Sequence, residues 1–469
     1  MEFSALQKVP TSHRTFSFRD QFVFWFGACS LPAAWLYGAL FAGWQGIAGA
    51  LVLIFIVNTI SFIPWAYLGE IAVATGGSSV AIVKGAFGIK GALIPSLFYL
   101  VLGFGWAIVN VFLGAIALSF IFKLWFGWPS IIDAGNTWYM VVYILVVCLL
   151  QGYFAVKGNQ MIKKLQWVAT IFFVILGFYQ TFIVIRHWGI APLLAWKPDH
   201  ILSGSLGIYT FPITFALLID LVISYNWTWE FIGDFSRFSK SKIAGTWGPF
   251  LGANIAQFWW FLVGALAVVY LTLTTGTYDP ISAAPSATSV TLGLGWLAAL
   301  VVLFATITTN AANLYASALG LSNILSGKKV SFQTLLFLSS VFVFPLSLIS
   351  LASSSLVGFF IFFLDVVGAI VVPLWTITLV DYFIVKKRKY SDDIFKLHKG
   401  EYWYKKGWNY TAIITLFSGM LLYWGAGYLI PQIRHTITAS IPTIIIVTAL
   451  YLILMRGKIE RKIYVKNKK

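Results

Sequence analysis

Apolar residues dominate the chain from Gln21 to Leu454, and short polar or Gly/Pro-containing stretches divide them into segments. A helix needs about 20 mostly apolar residues to cross the hydrocarbon of a bilayer. Twelve segments come close to that length, near 21–44, 46–69, 91–120, 137–156, 166–185, 206–232, 247–273, 291–318, 331–352, 356–385, 408–429 and 440–455. The fold class predicted is an all-α membrane protein with twelve transmembrane helices. Residues 1–20 form an N-terminal tail, 21–385 a ten-helix core, 386–407 a basic loop, 408–455 helices 11 and 12, and 456–469 a basic tail.

Two segments are interrupted. Span one reads Phe26-Gly27-Ala28-Cys29-Ser30-Leu31-Pro32, and a proline inside a helix removes one backbone hydrogen bond and clashes with the preceding turn. The helix is predicted to break just before Pro32; the competing reading is an ordinary proline kink. Span six carries Ser224-Tyr225-Asn226-Trp227-Thr228-Trp229-Glu230 where aliphatic residues are expected, and simple packing on a neighbour is its competing reading. The interruptions lie five spans apart, an odd offset that gives two halves of opposite orientation. A five-plus-five inverted repeat with discontinuous helices 1 and 6 follows. Unwound backbone at such breaks offers carbonyls to a cation and half-helix N-termini to a polar solute.

Spans three and eight are also five apart. In Gly103-Phe104-Gly105-Trp106-Ala107-Ile108-Val109-Asn110 the indole and the carboxamide are four residues apart and share a helical face. An aromatic face beside a carboxamide suits a flat heterocycle with hydrogen-bonding edges. Core packing or lipid contact is the competing role for any one of 21 tryptophans. Span eight holds Thr308-Thr309-Asn310-Ala311-Ala312-Asn313. Hydroxyls and carboxamides in hydrocarbon are costly without partners, so these are expected to face a cavity, an ion or a solute.

Composition excludes a soluble fold: 59% of the 469 residues are hydrophobic and 10% charged. The net charge of +17 would suggest nucleic acid in a soluble chain. Its placement argues otherwise. All 32 lysines and arginines except Lys123, Arg186, Lys197 and Arg434 fall in the two tails or the odd-numbered loops, among them Lys157, Lys163, Lys164, Lys328 and Lys329. Loops rich in positive charge stay on the cytoplasmic side, which places both termini there; the membrane expected is the plasma (inner) membrane. The basic surface suits an anionic leaflet, with no nucleic-acid partner. Residues 1–20 lack a short apolar core before a small-residue cleavage site, so no removable signal peptide is expected. Cys29 and Cys148 lie inside apolar stretches and give no disulfide framework. Metal-ligand spacing, a nucleophile elbow and a phosphate loop are all missing, so neither an enzyme nor a cofactor is expected.

The span-eight run, continued by Leu314-Tyr315-Ala316-Ser317-Ala318-Leu319-Gly320 and Ser322-Asn323-Ile324, closely resembles that of the bacterial cytosine permeases. These belong to the nucleobase:cation symporter family, which includes hydantoin transporters. Gly233-Asp234-Phe235-Ser236-Arg237-Phe238 resembles the family's signature after span six. Val371-Val372-Pro373 with Asp381-Tyr382-Phe383 resembles the end of its span ten, and Gly69-Glu70-Ile71 with Ala74-Thr75-Gly76 the end of span two. The resemblance runs from about Gln21 to Tyr390 and implies a sodium-symporter-type fold with a central nucleobase site. It implies that Trp106 stacks the substrate ring with Asn110 beside it, that Tyr225 opposes it next to Ser224, and that Asn310 reads the polar edge, with Asn313 as a further amide. It also implies that Thr308 and Thr309 are hydroxyl ligands of a sodium ion, completed by carbonyls near Gly27 and Leu31. Ala305, Ala311, Ala312, Cys29 and Pro32 depart from the family's pattern.

The function expected is secondary active import of a nucleobase or similar small heterocycle with Na+ or H+ as the coupling ion, by a monomer that carries no cofactor. An amino-acid or amine transporter on the same fold is the alternative, and an amine would need a deep acid such as Asp220. Asp365 raises the same question. Glu230 is a candidate proton-coupling carboxylate, although pairing with Arg237 or Lys240 near the cytoplasmic end is the preferred reading. Asp234 with Arg237 is expected to form a helix-end ion pair used in gating. A channel would need a continuous polar lining on several helices, which the sequence lacks.

Overall fold

The computed structural model describes residues 6–130, 137–156, 159–199, 203–206, 209–278, 280, 295–325, 330–348, 351 and 356–467. Lys157, Lys328 and Lys329 of the charge pattern lie outside the described residues.

Helix α1 (Phe18–Cys29) opens with a capping box in which the Ser17 hydroxyl accepts the Asp20 N–H and the Asp20 carboxylate accepts the Ser17 N–H. It stops at Cys29. Leu31 is fully extended (φ −146°, ψ 155°), and α2 (Pro32–Leu51) begins with the proline in its first turn, where a missing N–H leaves nothing unsatisfied. Within α2 the helical geometry fails again at Gln45 and Gly46. Gly46 has φ +65°, and a side chain there would strike the Trp196 carbonyl, so only glycine fits the turn. A π-helical stretch, Val52–Val57, leads into α3 (Asn58–Thr75).

Then come α4 (Ser79–Phe87), α5 (Leu93–Phe126), α6 (Thr137–Val156), α7 (Asn159–Trp188) and the short α8 (Ile190–Ala195). Where the sequence predicts the start of span six, the chain instead pairs as an antiparallel hairpin of β1 (Ser203–Leu206) and β2 (Tyr209–Pro212). Its Tyr-Thr-Phe run favours a strand over a helix. Helix α9 (Phe215–Trp227) follows, then a gap, then α10 (Ile232–Ser236) and α11 (Lys242–Thr275). The remaining helices are α12 (Gly295–Ile324), α13 (Phe332–Ser347), α14 (Leu356–Val380), α15 (Tyr410–Trp424), α16 (Pro431–Ile437) and α17 (Ser440–Asn467).

Among the described residues eight helical segments are long and apolar enough to span a bilayer, or nine if α16 and α17, bent by 99° to each other, count as one. The outward faces agree: Ile171, Ile175, Phe178 and Phe182 form an exposed apolar stripe on α7, spaced to lie on one side of the helix. This is a multi-pass membrane protein. Between helices, where lipid supplies no hydrophobic drive, small residues permit close backbone contact. Gly103 of α5 rests on the Ser317 hydroxyl and the Asn313 carbonyl of α12, and Gly38 of α2 and Gly264 of α11 each face a carbonyl of the other helix.

The basic loop 386–407 is folded rather than extended. Ile394 and Tyr402 form a small core with Ile89, Lys8 pairs with Asp392 at 2.7 Å, and Tyr404 donates to the Gly85 carbonyl at the end of α4. Past residue 455 the chain stays helical to Asn467, so the C-terminal tail extends α17.

Candidate functional site

The site is built on the gap between α9 and α10. Ending a helix inside a membrane frees carbonyls, and each one left unsatisfied in hydrocarbon costs several kcal/mol. Three aromatic donors on three other helices take them up. Trp375 Nε1 of α14 donates to the Trp227 carbonyl (2.9 Å), Trp65 Nε1 of α3 to the Trp229 carbonyl (3.0 Å), and the Tyr99 hydroxyl of α5 to the Glu230 carbonyl. Asn226 and Trp227 bind back to Asn58 and Ser61 on α3. Trp375→Phe, which removes only the N–H, should lower stability by about 1–3 kcal/mol. A thermal melt of the purified protein measures it, and an unchanged midpoint contradicts this account of the break.

Within this frame a narrow cavity of about 10 Å³, room for little more than one water, lies where α5, α12, the α1–α2 junction and the α9–α10 gap converge. Trp106 and Asn110 reach it from α5, Thr309 and Asn313 from α12, and Leu31 from the first break. Tyr225, Thr228, Trp229, Glu230 and Phe231 complete the lining. Trp106 Nε1 donates to Thr228 Oγ1 at 2.6 Å, which closes the indole over the gap. Trp106 and Tyr225 meet edge to face, with centroids 5.4 Å apart and planes at 74°. A flat ring between two aromatic faces needs roughly 7 Å, two carbon contacts of about 3.5 Å each. The geometry is therefore a closed one, in which the rings touch each other and must part to sandwich a solute.

The residues singled out in the sequence are placed as follows. Trp106, Asn110, Tyr225, Asn313, Leu31, Thr309 and Glu230 share the cavity. Asn310 is buried behind it: its amide donates to the Ala107 carbonyl (3.0 Å) and to Gln151, while its oxygen accepts from Asn313 Nδ2 (3.1 Å). Asn313, one turn further on, is the amide that reaches the lining. Ser224 lies 3.3 Å from the Tyr423 hydroxyl and is not part of the cavity lining.

Of the four cation candidates, Leu31 and Thr309 line the cavity. Gly27 lines a separate apolar groove between α1 and α7, and its carbonyl accepts the Ser30 N–H at 3.2 Å. Thr308 Oγ1 turns back to the Phe304 carbonyl of its own helix at 3.0 Å.

The charged residues also differ from expectation. Among the described residues Glu230 forms no ion pair with Arg237 or Lys240, because the gap turns its side chain inward while its carbonyl is held by Tyr99. Arg237 reaches the main-chain carbonyl of Asp234 (3.3 Å) rather than its carboxylate, which lies 3.4 Å from the Tyr99 hydroxyl. Asp220 accepts the N–H groups of Ala439 and Ser440 at 2.7 and 2.8 Å. It lies 3.6 Å from Arg434 Nε, and Asp365 lies 2.8 Å from Arg434 Nη1. Both acids are thus held at the α16–α17 corner, away from the cavity.

Sequence reasoning missed Thr228, Trp229 and Phe231 as lining residues and Gln151 as the support of Asn310. Thr228 and Trp229 stand inside the polar and aromatic patch of span six, and Phe231 directly follows it. Gln151 carried no local signal.

Paired broken helices around an enclosed aromatic and carboxamide cavity, inside a polytopic bundle, define a membrane carrier. The chain belongs to the family of permeases for cytosine/purines, uracil, thiamine and allantoin, whose family profile matches residues 8–455. This is a family of transporters, not of enzymes. The purine-uracil permease NCS1 of Arabidopsis thaliana is 28% identical over 92% of this chain and 72% of its own length. The allantoin permease of Bacillus subtilis is 25% identical over 92% of this chain and 88% of its own. The inward-facing structure of Mhp1 superposes with a TM-score of 0.77 at 20% identity, covering 97% of this chain and 96% of that one. Its closed, bromovinylhydantoin-bound form gives 0.76. The fold is that of Mhp1.

Proposed function

We propose that this permease imports a nucleobase or a closely related small heterocycle together with Na+ or H+, by alternating access. The observation that carries the reading is the enclosed cavity at the α9–α10 gap, where an indole, a phenol ring and two carboxamides meet. Aromatic faces stack on any flat ring, and amides read its edge. The relatives support it by name: one a purine-uracil permease, one an allantoin permease, and Mhp1 a nucleobase-cation-symport-1 transporter with a hydantoin bound.

In this reading Trp106 and Tyr225 hold the ring and Asn110 and Asn313 read its edge. Asn310 and Ser224 fix the lining from behind, while Thr308 and Thr309 with the carbonyls of Gly27 and Leu31 serve the cation once the helices rearrange. The architecture is twelve spans, of which the first ten, residues 21–385, form a five-plus-five inverted repeat with α1–α2 and α9–α10 as discontinuous helices 1 and 6. The chain acts as a monomer in the plasma membrane with both termini cytoplasmic. Asp220, the acid named for an amine carrier, is engaged by Ala439, Ser440 and Arg434, which disfavours that alternative.

Proteoliposomes preloaded with an unlabelled nucleobase should take up the labelled base faster than empty ones, saturably, and faster still under an inward Na+ or H+ gradient. Linear flux without counterflow would contradict a carrier.

A further inference from the structure

Glu230 is the polar group in the cavity that nothing so far explains. It is 3% exposed, lines the cavity, and forms no ion pair among the described residues. An ionised carboxylate only accepts hydrogen bonds; buried with no cation beside it, Glu230 needs a donor from the solute to hold that form. Asn110 adds a second acceptor to the same lining. Its Nδ2 is committed to the Trp106 carbonyl at 3.0 Å, which leaves its Oδ1 buried without a partner. Tyr225 Oη and Trp229 Nε1 lack partners too and are donors, available to carbonyl or ring-nitrogen atoms elsewhere on a heterocycle.

We propose that Glu230, with Asn110, selects heterocycles that present an exocyclic amino group, whose two N–H donors can meet two acceptors, over analogues with a carbonyl at that position. The proposal rests on the nucleobase reading above and narrows it. A carbonyl placed there would leave two buried acceptors facing a third, and an unpaired polar group is penalised more heavily than a lost contact.

Equilibrium binding to the purified full-length protein, followed by tryptophan fluorescence or calorimetry, tests it with three amino/oxo pairs: cytosine and uracil, guanine and xanthine, adenine and hypoxanthine. In at least one pair the amino member should bind tighter to the parent protein, by about 10- to 100-fold as for hydrogen bonds to a charged group. Glu230→Gln should erase that preference, since its amide both donates and accepts. Glu230→Asp should bind more weakly yet keep the order. Equal or better binding of the oxo members by the parent protein, a result that needs no variant to fold, overturns the proposal. So does an amino preference that persists unchanged in Glu230→Gln. Bases that bind without such a preference would remove this inference and leave the transport reading standing, whereas failure of all six to bind would remove both.

Discussion

Arg434→Ala should unfold at a markedly lower temperature than the parent protein, because it strands two buried carboxylates. Arg434 is 4% exposed and sits between Asp365 of α14 and Asp220 of α9. Tyr428 adds a hydrogen bond to Asp365 at 2.7 Å, and the first N–H groups near α17 cradle Asp220. Removing one partner from a buried pair typically costs about 3–5 kcal/mol, whereas replacing all members with neutral groups costs far less. The triple variant Arg434→Leu, Asp220→Asn, Asp365→Asn should therefore recover much of the loss. Thermal melts in detergent measure both. A single variant that melts with the parent would show that the triad does not clamp α9, α14 and the α16–α17 corner together.

Trp106→Ala should abolish uptake while the protein still inserts and folds. The indole stacks edge to face with Tyr225 and Phe363 and is tied to Thr228, so it both covers the cavity and offers the largest flat surface to a solute. Stacking of a base on an aromatic side chain is worth about 1–3 kcal/mol. Loss of that contact, and of the closing bond to Thr228, should lower substrate affinity by at least about tenfold. Trp106→Phe should keep part of the binding but not the closing bond. Asn310→Ala should also abolish uptake, indirectly, since it frees Asn313 and Gln151. Uptake at parental rates by both alanine variants, at equal membrane abundance, would refute the site.

The parts of the fold legible in the sequence are those set by local rules. Long apolar runs mark spans because length and hydropathy decide insertion, and Pro32 marks a break because its ring forbids the preceding turn. The register of Trp106 with Asn110 was legible for the same reason, since four residues make one helical turn. What depends on a partner far along the chain was not. Arg434 read as one of four basic residues outside the charged loops, and nothing near it announces Asp220 or Asp365. Asn310 read as a substrate ligand because its alternative partner, Gln151, is 159 residues away. Glu230 was assigned an ordinary pairing with a nearby base, a sound rule on a continuous helix that fails where the helix stops at Trp227. The strand at 209–212 overlaps the predicted span six because hydropathy counts apolar residues without distinguishing strand from helix.

The aromatic donors at the α9–α10 gap also set the stiffness of the molecule. Trp65 and Trp375 bolt the gap to α3 and α14 through main-chain carbonyls, bonds that cannot be exchanged for water deep in a bilayer. The hold on α5 adds, beside the Tyr99 bond, the Trp106–Thr228 bond between two side chains that line the cavity. That side-chain bond is worth about 1 kcal/mol net, less than the roughly 4 kcal/mol that a solute bound at millimolar affinity returns. Side-chain chemistry thereby marks a seam: α3 and α14 are fastened to the gap by buried main-chain bonds, and α5 in part by a side-chain bond at the cavity wall.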